Sequence, residues 1–126
     1  MTKIELSKYR NALASEQAEL VHLVRNREGI AIEKSPDALD EVQGAAEREL
    51  AIRNLDRESS LLRNVRAALG RIEAGSFGVC LYCEEDISSK RLAAVPWTAF
   101  CIQCQEILDR SERNGANLDE WLVNAA

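Results

Sequence analysis

The stretch Cys80 to Cys104, CLYCEEDISSKRLAAVPWTAFCIQC, carries all four cysteines of a 126-residue chain. They form two Cys-x-x-Cys pairs with 17 residues between them, a spacing that lets four thiolates converge tetrahedrally on one zinc ion. A catalytic zinc keeps a coordination position open, whereas Cys80, Cys83, Cys101 and Cys104 together fill the shell, so the spacing predicts a closed structural Zn2+ site. Disulfides would need an oxidising compartment, and the opening MTKIELSKYRNALASEQ lacks the basic flank and apolar core of a secretory signal. A thioredoxin-like dithiol would account for one pair on a βαβ unit and leave the other unexplained. The single histidine, His22, falls on a distant helical stretch and is expected to be half-exposed, with no ligand role.

Upstream of the cysteines the chain reads as helix. Between about 3 and 34 there is no proline, and Leu6, Leu13 and Leu20 recur at seven-residue steps, with Tyr9 and Leu23 or Val24 on the adjacent step of the 3-4 pattern. Pro36 disfavours the α conformation at Ser35, so the first helix should end near Lys34. In the turn Ser35-Pro36-Asp37-Ala38-Leu39-Asp40-Glu41-Val42, Ser35 or Asp37 can cap a second helix, with carboxylates set against its positive end. That helix should run from about 38 to 74, with Leu55, Leu62 and Leu69 on its seam and Ile52, Ser59, Val65 and Ile72 interleaved. Two such seams joined by a short turn predict an antiparallel coiled-coil hairpin, an arm on the order of 45 Å long. Gly75 and Gly78 then end the helix and turn the chain into the first cysteine pair. Beyond Pro96, Trp97 and Phe100 are placed to cover the metal site. A helix after Cys104 should stop near Asn114-Gly115, and NLDEWLVNAA offers a short final one.

The fold class is therefore mainly α: a hairpin over residues 1–75 with an acidic tip near 35–42, then a four-cysteine zinc-finger globule with a C-terminal helix over 76–126. With 29% charged and 5% aromatic residues, the chain suits an elongated helical shape better than a large globular core. No apolar run approaches the roughly 20 residues needed to cross a bilayer, so a cytoplasmic protein with no membrane contact is expected. The net charge is −5, with 16 basic residues scattered among 21 acidic ones, which argues against sequence-specific DNA binding through phosphates and for a protein partner.

The acidic-tipped hairpin followed by GSFGVCLYCEEDISSKRLAAVPWTAFCIQC resembles the DksA/TraR family of bacterial transcription factors. The most specific parts are the FG-x-C-x-x-C opening, the stretch formed by Ile87, Arg91, Leu92, Ala94 and Pro96, and the closing Cys-x-x-Cys. The resemblance implies a non-enzymatic regulator that binds RNA polymerase, inserts the hairpin into its secondary channel and destabilises open promoter complexes. It assigns the tip to Asp37 and Asp40, in an Asp-x-x-Asp-x-Ala pattern whose alanine is Val42 here, and a contact with the channel rim to Arg53 and Arg57. Surface ion pairing is the alternative role for those arginines. In DksA-type members basic side chains help bind guanosine tetraphosphate jointly with polymerase. The matching positions here are the uncharged Asn64, Val95 and Gln105, so co-regulation by that alarmone through them is expected to be weak or absent.

Two other kinds of protein share features of this sequence. A transcript-cleavage factor of the Gre type also inserts an acidic-tipped coiled coil, with carboxylates holding a second catalytic metal. A coiled-coil adaptor would dimerise through its leucine seam, whereas a hairpin closed within one chain is expected to be a monomer.

Overall fold

The computed structural model describes residues 1–32 and 38–113, with side chains described over 1–29 and 44–112. Four helices follow in order: α1 (Lys3–Ile32), α2 (Ala38–Ala74), α3 (Ser89–Ala94) and α4 (Ile102–Arg113). Thr2 opens α1 through a capping box, its Oγ1 accepting from the Glu5 amide at 3.1 Å while its own amide donates to Glu5 Oε2 at 3.3 Å. The helix continues through Gly29 to Ile32, and α2 occupies the span expected from the periodicity. The turn 33–37, with its proposed caps and Asp37, lies outside the described residues, as does the stretch 114–126.

The two long helices form an antiparallel hairpin, since Tyr9 meets Phe77 just past the end of α2 while Arg27 meets Glu58 halfway along it. From α1, Leu13 and Leu20 are buried, with Leu6, Tyr9, Val21 and Val24 packed against them. From α2 come Leu62, Val65, Ala68 and Ile72, with Leu69 partly buried alongside. The expected seam needs one correction. Ile52 is 47% exposed and Ser59 only half-buried, while their neighbours Ala51 and Glu58 are buried. Counting back in sevens from Ile72 and Val65 lands on 58 and 51, and the helix obeys that geometry rather than the apolar character of Ile52. On α1 the ladder 6, 13, 20 lands next on Arg27. Where both ladders meet polar residues, Arg27 Nε donates to Glu58 Oε2 at 3.3 Å and Nη2 donates to Oε1 at 3.4 Å.

The hairpin ends in a Schellman motif. Ser76 donates its amide to the Arg71 carbonyl at 2.9 Å and Gly75 to that of Ile72 at 3.3 Å, with Gly75 at φ 79° where a side chain would be strained. The core then runs without a break from the base of the hairpin into the cysteine-bearing globule, through Phe77, Ile87, Leu92, Phe100 and Leu108. The ring centroids of Tyr9 and Phe77 lie 5.3 Å apart in a tilted pair that joins the two regions. His22 is exposed rather than half-exposed, on the outward face of α1. None of the described helices is long and apolar enough to cross a membrane.

Candidate metal centre and the cavity beside it

The first cysteine pair sits on a knuckle that glycine makes possible. Gly78 has φ 88°, and a Cβ there would come within 3.1 Å of the Met1 side chain and 3.6 Å of Leu92. From it the chain turns back on itself: Val79 bridges Asp86, Ile87 donates its amide to the Gly78 carbonyl at 2.8 Å, and Cys80 donates to Glu85 at 2.9 Å. Closing the loop puts Glu84 at φ 62°, in the left-handed region that few side chains occupy. The second pair is carried by α4, with Cys101 just before the helix and Cys104 in its first turn. A bond from the Leu81 amide to the Ala99 carbonyl, 2.9 Å, holds the two knuckles in register.

This brings the four sulfurs within 4.8 Å of one another. Tetrahedral zinc with bonds of about 2.3 Å to sulfur requires sulfurs about 3.8 Å apart. Cys83 Sγ and Cys101 Sγ are separated by 3.8 Å. The donor set fits one zinc ion and leaves no position for substrate, so the metal would supply cross-linking of the globule rather than catalysis. Burial opposes ionisation of Cys80, yet the backbone amides of Cys83, Cys101 and Tyr82 outweigh it and bring the thiol down to about 6. Burial and the neighbouring thiols push Cys104 well up. For Cys83 the Glu85 amide pulls downward, but burial and the Cys80 and Cys101 sulfurs prevail and raise it. Four thiols crowded this closely do not all ionise unaided, which is the electrostatic demand a divalent cation answers.

The insert between the pairs is fastened by two arginines that reading the sequence assigned no structural role. Arg91 Nε donates to the Phe100 carbonyl at 2.8 Å, and its Nη2 to Thr98 Oγ1 at 3.2 Å. Arg71 reaches across from α2 to the Trp97 and Thr98 carbonyls, 3.3 Å each, and its burial lowers its pKa from the ordinary value. Buried Thr98, bonded to Phe100 at 2.9 Å, completes the clamp. Phe100 is buried beside the metal site and Trp97 is half-buried, so the two aromatics are core, as expected.

Next to this clamp lies a cavity of about 500 Å³. Asn64, Val95 and Gln105, far apart in the chain, all line it, together with Arg71, Arg91, Trp97 and Leu108. The three uncharged positions singled out from the resemblance are thus one place in the fold, and the cations beside them come from Arg71 and Arg91. Of the other site residues, Asp40 belongs to the first turn of α2, and nothing is described of its side chain. Arg53 and Arg57 are both exposed on α2, and among the described residues Arg57 Nη2 donates to Asn54 Oδ1 at 3.0 Å rather than to a glutamate.

A narrow two-helix arm carried on a closed four-thiolate metal site defines a class of helical-hairpin zinc-finger proteins. Residues 75–110 match the model of the prokaryotic DksA/TraR C4-type zinc finger. The chain is 31% identical over 116 residues to an uncharacterised protein of Aquifex aeolicus, covering 87% of this chain and 80% of the other. Over 81 residues it is 35% identical to the RNA polymerase-binding transcription factor DksA of Haemophilus influenzae, covering 64% of this chain and 56% of that one. The solved structure of transcription factor DksA2 from Pseudomonas aeruginosa superposes with a TM-score of 0.77 at 28% identity, covering 90% of this chain and 89% of that one. The chain belongs to the DksA/TraR family. Its matched stretch spans little more than half of the Haemophilus protein, so the activity of that whole protein is not carried over with the fold.

Proposed function

We propose that this chain is a non-enzymatic transcription regulator that binds RNA polymerase, enters its secondary channel with the hairpin and destabilises open promoter complexes. The observation that carries the reading is the shape. An α2 of 37 residues, about 55 Å at 1.5 Å per residue, lies against α1 along one seam and stands on a globule whose core is continuous with it. Such an arm is thin enough for a pore, and in sequence Asp37 and Asp40 fall at the junction between its two helices. The relatives named as polymerase-binding transcription factors support the partner. On this reading residues 1–75 are the arm and 76–126 the base, which remains outside the channel with Cys80, Cys83, Cys101 and Cys104 holding zinc. Arg53 and Arg57, exposed on α2, meet the channel rim.

The protein acts as a cytoplasmic monomer, because its seam is satisfied within one chain, and it makes no sequence-specific contact with DNA. Guanosine tetraphosphate acts weakly or not at all through the cavity at Asn64, Val95 and Gln105, where the nearby guanidiniums are engaged with backbone carbonyls and Thr98. Retention of purified RNA polymerase on the immobilised zinc-loaded chain tests the reading. Binding at micromolar concentration that Arg53→Ala/Arg57→Ala weakens at least fivefold is expected, and no retention would overturn it.

A further inference from the structure

A second cavity, of about 570 Å³, opens at the foot of the hairpin between the first turns of α1 and the loop that leads into α3. Phe77, Ile87 and Leu92 give it apolar walls, and the half-buried ring of Tyr9, paired with Phe77 at a centroid distance of 5.3 Å, gives it an aromatic one. Glu5 and Asp86 add two carboxylates to the lining and no lysine or arginine joins them, Lys8 and Lys90 standing outside it although they adjoin lining residues in the chain. Both carboxylates are positioned by the backbone. Glu5 closes the capping box of α1 through Oε2, which leaves Oε1 without a hydrogen bond among the described residues. Asp86 bridges Val79, and the next amide, that of Ile87, donates to Gly78 at 2.8 Å, so the main chain is fixed there. The exposed Asp86 carboxylate makes no hydrogen bond or ion pair among the described residues, and Glu84 and Glu85 add two more exposed negative charges to the same loop.

An aromatic wall, apolar walls and preset carboxylates together favour one kind of side chain. A guanidinium is planar, stacks on an aromatic ring and meets carboxylates through a rigid fork, while its aliphatic stem covers apolar surface. The compact, strongly hydrated ammonium of lysine gains less from the ring. We infer that this cavity receives an arginine side chain from the surface of RNA polymerase outside the channel. Resting on the proposed function, this anchor belongs to the part of the chain that stays outside while the arm enters. Its charge is opposite to that of Arg53 and Arg57 on the arm, so the chain meets polymerase at two places with opposite demands. Such a pair of contacts fixes the orientation of a narrow arm that is otherwise free to turn about its own axis.

Equilibrium binding of the full zinc-loaded chain to purified RNA polymerase tests this, with the fold of each variant checked by zinc content and helical circular dichroism. Asp86→Arg is expected to weaken binding at least about tenfold, and Glu5→Gln, which still closes the capping box, about threefold. If the parent binds and both variants bind as tightly, the anchor is overturned and the proposed function stands; if the parent itself does not bind, both fall. The photo-reactive variant Ser89→p-benzoylphenylalanine, on the cavity wall, should cross-link to polymerase beside an arginine. Changing that arginine to glutamate should weaken the parent and restore binding of Asp86→Arg. A swap without rescue, a cross-link with no arginine near it, or one made only to a second copy of this chain would overturn the anchor.

Discussion

Replacing Arg27 by methionine keeps the aliphatic stem in the seam and removes the guanidinium that faces the Glu58 carboxylate. Glu58 is 9% exposed, so the charge left behind is largely out of water. Breaking a fully buried pair by deleting one partner costs about 3–5 kcal/mol. Two features reduce that figure here. The Arg27 side chain is 30% exposed, and its contacts at 3.3–3.4 Å are longer than those of a strong charge-assisted bond. Arg27→Met is therefore expected to cost about 2 kcal/mol, which lowers the melting temperature of a domain this size by about 8 °C. Glu58→Leu alone leaves Arg27 able to turn towards solvent and costs about 0.5 kcal/mol or less. Joining the two restores an apolar seam, so the double variant should return to within about 1 kcal/mol of the parent, a coupling of at least about 1.5 kcal/mol. Urea unfolding of the four zinc-saturated chains at pH 7, followed by helical circular dichroism, measures the cycle. Additive changes, or a loss below about 0.5 kcal/mol in Arg27→Met, would refute the reasoning.

Zinc affinity should climb by at least about a hundredfold per pH unit between about 6 and 8, because Cys83 and Cys104, both raised, must each lose a proton to bind while Cys80, at about 6, has already lost its own. Below about 6 Cys80 also takes up a proton and the slope steepens; a flat profile in competition with a chromophoric chelator would contradict the thiol environments described. At Glu84, φ 62°, substitution by glycine should hold stability or raise it by about 0.5 kcal/mol, and valine should lower it by about 1–2 kcal/mol, read as melting temperature of the zinc form. The corrected seam is checked by Ile52→Ala, expected to cost under about 0.5 kcal/mol, and Ala51→Leu, expected to cost about 1–3 kcal/mol through overpacking. The opposite order would restore Ile52 to the interface.

Most of the architecture was legible because its signals are periodic or covalent. Two Cys-x-x-Cys pairs announce a metal site whatever surrounds them, and leucines in steps of seven announce paired helices. The error at Ile52 arose from ranking side chains by hydrophobicity where the step of seven, carried back from Ile72, points to Ala51 and Glu58 instead. Followed forward from Leu20, the same rule reaches Arg27, so the buried ion pair was within reach of the sequence as two polar residues on opposing ladders. The clamp formed by Arg71, Arg91 and Thr98 was not. It depends on backbone carbonyls of an irregular insert, and no pattern of residue types encodes where those carbonyls point. The cavity walls were named only in part for a related reason: Asn64, Val95 and Gln105 are separated by 31 and 10 positions in the chain, and only folding brings Arg71 among them.

The central claim, that a charged tip carried by a rigid arm acts on the polymerase, is tested most directly by the lifetime of a competitor-challenged open promoter complex. Saturating wild-type protein should shorten that lifetime at least threefold, while Asp40→Asn, bound to polymerase with unchanged affinity, should leave it as it is without the protein. An undiminished effect from Asp40→Asn, or loss of its binding with the fold intact, would contradict the tip as effector.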